Sequence, residues 1–236
     1  MHRQMHRPAL VRFALGIGVL MVVILALAAC GSGSAQEEPK ARPLPLYRHD
    51  LRPGEYHSVK FKPPLSFKVG KGWENAEEQL SDTIDMGLQG CGPPTGDLTC
   101  KLHFANVKEV FKPGTTNVVE APKDLVGWLQ HHPYLKTSKP KPVTVGGVKG
   151  EQFEVLVDHL PKDPNGYCGT DCLDIFNQSS GDRIGYFREA NKRRVIVLED
   201  VKGDTVVIWF AARPDEFDKF APEAQKVVDS VKWGGS

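Results

Sequence analysis

The sequence has none of the short motifs by which hydrolytic, metal-dependent or nucleotide-dependent catalysis is read. Gly-x-Ser-x-Gly, His-Glu-x-x-His, a Walker loop and Cys-x-x-Cys are all absent, and no catalytic residue is nominated. Charge of one sign is also lacking: the formal net charge is +1. That balance argues against nucleic acid as a partner, because its binders carry a basic excess on one face. Aromatic residues are only 8% of the chain, yet they recur at periodic positions, so a proper core is expected. No internal repeat is visible.

Long apolar runs are scarce, and the single one is informative. Residues 13–29 carry no charge, and Arg3, Arg7 and Arg12 precede them without any acid. A basic start, an apolar middle and a small-residue end make a secretory signal. The run is at the short edge for a spanning helix, which needs about 20 residues. Small residues Ala28 and Ala29 lead directly to Cys30. Leu27-Ala28-Ala29-Cys30, followed by Gly31-Ser32, resembles the bacterial lipobox. The resemblance implies a diacylglyceryl group with palmitate-type chains on the Cys30 thiol and cleavage just before it. Each buried methylene contributes about 0.8 kcal/mol, so two or three chains hold a protein on a bilayer almost permanently. The expected address is the outer face of the cell membrane, or the periplasm or outer membrane of a Gram-negative cell. The expected partners are the membrane, through the lipid on Cys30, and an envelope protein or small ligand.

Removing the three arginines leaves 27 basic against 29 acidic side chains, a mature balance near −2. The chain divides into a signal at 1–29, a flexible tether at 30–46 and a single domain at 47–236. The tether reads GSGSAQEEPKARPLP from Gly31, small, charged and proline residues without periodicity. Four cysteines remain after Cys30: Cys91, Cys100, Cys168 and Cys172. An even number in an exported chain favours two disulfides, with three pairings open. Cys91–Cys100 and Cys168–Cys172 are preferred because each brackets a turn-rich loop.

Period-two alternation predicts strands. The expected strands are 56–61 and 65–69 around Pro63-Pro64, then a hairpin in which Ile84, Met86 and Leu88 share a face, as do Leu98, Cys100, Leu102 and Phe104. A helix is expected over 121–132, with Leu125, Trp128 and Leu129 at i, i+3, i+4. A short edge strand follows at 135–139, then a hairpin across Gly146-Gly147 with a bulge near Gly150. Residues 159–172 read as an inserted loop. Strands at 173–176, 183–187, 194–201 and 205–211 come next, the last two apolar on both parities and therefore central. A terminal helix from about 215 carries Phe217, Phe220, Ala224, Val227, Val228 and Val231 in one stripe, with Pro222 expected to split it, and Trp233 closes the core. The fold class is α+β: a mostly antiparallel sheet packed by a central and a C-terminal helix.

The layout Trp128-Leu129, His132-Pro133, Val143-Thr144-Val145-Gly146-Gly147-Val148 and Val227-Val228-Asp229-Ser230-Val231 resembles the PsbP-like α/β sandwich, especially its actinobacterial lipoprotein members, over roughly 56–234. The resemblance implies a binding or assembly factor and carries over no catalytic residue or cofactor.

His159 with Cys168 and Cys172, aided by Asp171, has the ligand types of a zinc site, against which stands their reading as disulfide cysteines. His131-His132 reads as a solvated pair at a helix C-terminus. Glu74, Glu77 and Glu78 read as a solvated face, Ser179-Ser180-Gly181-Asp182 as a turn, and Lys192-Arg193-Arg194 as an exposed basic turn. The functional reading is a lipid-anchored, non-catalytic extracytoplasmic binding or assembly module. The alternatives are a carrier of an apolar molecule, and a surface hydrolase or metal-dependent enzyme built on His159 or the acidic residues.

Overall fold

The fold begins where the tether was expected to be loose. The computed structural model describes residues 40–77, 81–91, 99–162, 170–178 and 184–234. The signal, Cys30, Cys168 and the turn 179–182 lie outside them. All described residues belong to one unit, Pro39–Ser236. β1 (Arg42–Pro43) already pairs in parallel with β3 (Gly54–His57), past the intervening β2 (Tyr47–Asp50), and Leu44 is buried. Regular structure therefore begins before residue 46, inside the stretch expected to be tether. Proline on either side of Leu44 holds it extended, which lets a single apolar side chain anchor the entry.

β3 pairs with β4 (Leu65–Val69), as expected, although the first strand of the pair covers 54–57. β5 (Trp73–Glu77), β6 (Thr83–Leu88) and β7 (Lys101–Asn106) then run antiparallel. Ile84, Met86, Leu102 and Phe104 share one buried face, which is the alternation read from the sequence. β8 (Glu109–Phe111) and β9 (Val118–Glu120) form a small hairpin that the sequence reading passed over.

α1 (Leu125–Gln130) is shorter than the expected 121–132. Asp124 is its N-cap: Oδ1 accepts the Gly127 N–H at 2.7 Å. β10 (Leu135–Thr137) is the expected edge strand, and β11 (Lys141–Val145) and β12 (Val148–Val157) form the Gly146-Gly147 hairpin. Both turn glycines have positive φ, 56° and 84°, as a two-residue turn of this hand requires. The bulge expected near Gly150 is not there, since the register runs unbroken from Lys141↔Gln152 to Val145↔Val148. The parity change has a different cause. Val148 packs on one side of the sheet with Val143 and Val145, whereas Phe153, Val155 and Val157 pack on the other.

β13 (Cys172–Asn177), β14 (Ile184–Arg188), β15 (Lys192–Val201) and β16 (Asp204–Ala212) follow. α2 (Pro214–Asp229) is one continuous helix, and β17 (Lys232–Trp233) closes the chain. Pro222 does not split α2, because it is exposed and the carbonyl it deprives of a partner, four residues back, can turn to water.

The largest sheet has the order β10-β12-β15-β16-β7-β6-β5-β2, with β11 also on β12. β1-β3-β4-β17 and β14-β13-β8-β9 form two smaller sheets. Among the described pairings only β1 with β3 is parallel. The architecture is α+β, mostly antiparallel, with two helices. One face of the large sheet packs α2 and the β1-β3-β4-β17 sheet through Ile196, Leu198, Ile208 and Phe210. Val195, Val197, Val207 and Trp209, of opposite parity, pack α1 and the third sheet. β15 and β16 are thus covered on both faces, as their double apolar parity requires. Among the described residues no helix is long and apolar enough to cross a membrane.

Candidate functional site

The residues singled out from the sequence do not converge. Cys91 and Cys100 form a disulfide with Cα atoms 5.6 Å apart, bridging the β6–β7 connection, and Cys100 is fully buried. Cys172, at the start of β13, is also buried and disulfide-bonded; its expected partner Cys168 lies outside the described residues. A cystine sulfur is not a thiolate, so Cys172 has no charge to offer the zinc set proposed with His159 and Cys168. His159 is exposed, with Nδ1 3.1 Å from Asp158 and its ring edge-on to Tyr134. Asp171 instead pairs with Arg188 at 2.5 Å. Among the described residues no group of three or more His, Cys, Asp or Glu could hold a metal.

Three surface readings are corrected. His131 is exposed and its Nδ1 donates to Gly127 O at 2.7 Å, but His132 is not solvated. It is 4% exposed, edge-on to Trp128 and near Tyr134, and its Nε2 has no partner among the described residues. Burial lowers its pKa from 6.5 to about 4. Glu74 is buried, not solvated, and pairs with Arg48 at 3.0 Å; Glu78 and the side chain of Glu77 lie outside the described part. The third correction is the basic turn. Lys192, Arg193 and Arg194 lie inside β15, so they alternate between its faces. Lys192 and Arg194 share Glu154 at 3.2 and 3.3 Å. Burial opposes ionisation of Glu154, but these two cations outweigh it and hold the carboxyl below its usual range.

Arg193 points the other way and is 1% exposed. Its Nη2 donates to Arg188 O at 2.6 Å and its guanidinium lies 4.5 Å from the centre of the Phe187 ring. Nη1 is buried and has no partner among the described residues. Burial pulls the group down to about 9, still protonated at neutral pH. Parity held the clue, because Arg193 has the same parity as Val195 and Val197.

This side chain opens a row of facing residues. Arg193 is opposite Ala211, Ala211 opposite Lys101, and Lys101 opposite Gly87. The next row is Val195, Trp209, His103 and Asp85. Directly paired residues share a face, so two cations, a carboxylate, an imidazole and an indole stand together. Ala211 and Gly87 flank Lys101 in its row with little or no side chain. The His103 ring is stacked on Trp209, 4.6 Å between centres and 14° between planes. Asp85 lies 3.5 Å from both the His103 Nδ1 and the Lys101 Nζ. Burial lowers the His103 pKa from 6.5 to about 4; Asp85 opposes the shift, while Lys101 and Arg193 add to it.

The 3.5 Å between Asp85 and the His103 Nδ1, whose ring lies flat on an indole, is longer than the 2.6–3.2 Å of an engaged acid–base pair. The two rows hold two cations, one of them with an unpartnered Nη1, beside an imidazole already stacked on Trp209. A second polar depression is lined by Asp124, Lys149, Gly150, Glu151 and Glu199. Burial, then the charges of Asp124 and Glu151, raise the Glu199 pKa, but Asp124 is already committed to capping α1.

No family model matches the chain, and no curated protein matches it. Two solved structures are similar in outline. One is cyanobacterial PsbP from Synechocystis sp. PCC 6803, at 10% identity and a TM-score of 0.37 over 78% of this chain and 95% of that one. The other is LpqN of Mycobacterium tuberculosis, a protein involved in cell envelope biogenesis, at 12% identity and 0.36 over 79% and 88%. Likeness at this level makes the chain a member of neither protein's family and says nothing of ligand or compartment.

Proposed function

We propose that this protein is an exported, lipid-anchored, non-catalytic binding module that meets its partner or ligand outside the cytoplasm. The observation that carries the reading is the Cys91–Cys100 disulfide beneath the central sheet. Structural disulfides persist in oxidising compartments, and the Leu27-Ala28-Ala29-Cys30 sequence supplies both a route of export and an acceptor for lipid. The polar rows around Arg193 and His103 support binding over turnover, since the imidazole is packed as a platform.

The carrier reading needs a hollow between β15–β16 and α2. That space holds Phe210, Phe217 and Phe220, with Phe210 ring centres 6.1 and 6.3 Å from the other two, and Trp73 6.0 Å from Phe220. Rings in contact leave an apolar cargo no room there.

The test is the intact mass of the protein extracted from membranes, with and without reduction and thiol alkylation. The expected species begins at Cys30, carries acyl chains and has no free thiol before reduction. Replacing Cys30 by Ala should remove the acyl mass and leave the signal segment 1–29 uncleaved. An unprocessed chain, or one without acyl mass, defeats the proposal.

A further inference from the structure

We infer that the Arg193–Ala211–Lys101 row is a binding site for a small oxyanion, a carboxylate or a phosphoryl group. A buried guanidinium normally has a carboxylate or several acceptors, because an unpaired buried charge costs several kcal/mol. Arg193 is 1% exposed, makes one hydrogen bond to a main-chain carbonyl, and leaves Nη1 without an acceptor. No carboxylate among the described residues pairs with it. The aromatic face of Phe187 compensates part of that cost but offers nothing to Nη1.

The neighbours are arranged as an oxyanion would need. Ala211 separates Arg193 from Lys101 across three adjacent strands, which at about 4.8 Å per strand puts the two backbones roughly 10 Å apart. In the row the small side chain of Ala211 stands between the two cationic residues. Trp209 and His103 stand in the next row as a wall. The row opens at its Lys101 end, where Lys101 is 28% exposed, His103 22% and Asp85 16%. Asp85 now takes the charge of Lys101 at 3.5 Å, so it competes with an incoming anion.

This deepens the binding-module reading by naming the ligand class, and the two fail separately: anchoring is read by mass, the site by titration. The full chain, purified in detergent, is titrated with inorganic phosphate and, in a parallel arm, with acetate, each against chloride at matched ionic strength. Calorimetry and the thermal midpoint are followed. One oxyanion is expected to bind and raise the midpoint where chloride does not, and the arm that responds tells phosphoryl from carboxylate. Lys101→Met should weaken binding at least about tenfold, the scale of a lost charged hydrogen bond, and Arg193→Gln should abolish it. Asp85→Asn should tighten it by removing the competitor. If Arg193→Gln does not fold, the Lys101 and Asp85 variants, altered at the open rim, decide. Responses to phosphate and acetate no larger than to chloride, or affinities unchanged in both rim variants, overturn the inference.

Discussion

His132 and His103 sit in different layers for the same physical reason. The His132 ring is removed from water and the His103 ring largely so, and burial lowers each pKa from 6.5 to about 4. The sign of the pH dependence follows. Above pH 6.5 both rings are neutral in either state and the packing is undisturbed. As pH falls from about 6.5 to about 4 the unfolded chain takes up protons that the folded chain refuses, so stability drops across that window and levels off below it. The expected loss is roughly 1–3 kcal/mol per ring, read as a falling thermal midpoint. His132→Phe should remove a share of that slope, and a slope unchanged by the variant would mean the ring titrates freely. Trp233 makes a smaller claim: its Nε1 donates to Val145 O at 2.9 Å. Trp233→Phe should cost about 1 kcal/mol in urea denaturation.

The short helix α1 depends on its cap. Gly127 is usually the residue to replace with alanine in a helix, for a gain of up to about 1 kcal/mol. Here an added Cβ would lie 2.2 Å from Asp124 Oδ2 and 2.9 Å from Oδ1, so Gly127→Ala should destabilise instead, by about the value of a lost cap, 0.5–2 kcal/mol. Asp124→Ala should cost a similar amount, and the two losses should not add, since both remove the same contact. β12 has its own constraint at Gly150, where a Cβ would meet Val197 O at 2.2 Å. Gly150→Val should therefore cost about 1–3 kcal/mol or more by overpacking, although valine favours strands elsewhere. α2 offers the opposite case. Exposed Pro222 sits inside a continuous helix, so Pro222→Ala should stabilise the protein by about 1 kcal/mol or more, measured by chemical denaturation.

For the whole molecule, the two sides of the large sheet have different tasks. The α2 side is aromatic and packed; the α1 side gives way, along β7 and β6, to charged and polar residues. The Cys91–Cys100 link ties the β6–β7 connection that borders this polar end. Opening it by Cys91→Ala, which leaves the Cys172 disulfide in place, should cost about 2–3 kcal/mol for a loop of this length. The same variant should loosen the His103–Asp85 end of the sheet, visible as faster amide exchange in β6 and β7 than in β15.

The elements with local signals were legible in the chain. Alternation at Ile84-Met86 and Leu102-Phe104, the Gly146-Gly147 turn, the double parity of β15 and β16 and the stripe of α2 are set by side-chain period and backbone freedom, and each lies where it was read. The same local rules did not reach β8 and β9, which are three residues each and too short to show a period. Which polar side chains leave water depends on the packing of the layers. Arg193, His132 and Glu74 are polar by composition and look like surface residues in the chain. Their burial depends on which layer covers which face, and that is settled by contacts between residues far apart in sequence. The candidate site was hidden for that reason: its cations and its imidazole come from β15 and β7, which only the pairing of both with β16 brings onto one face.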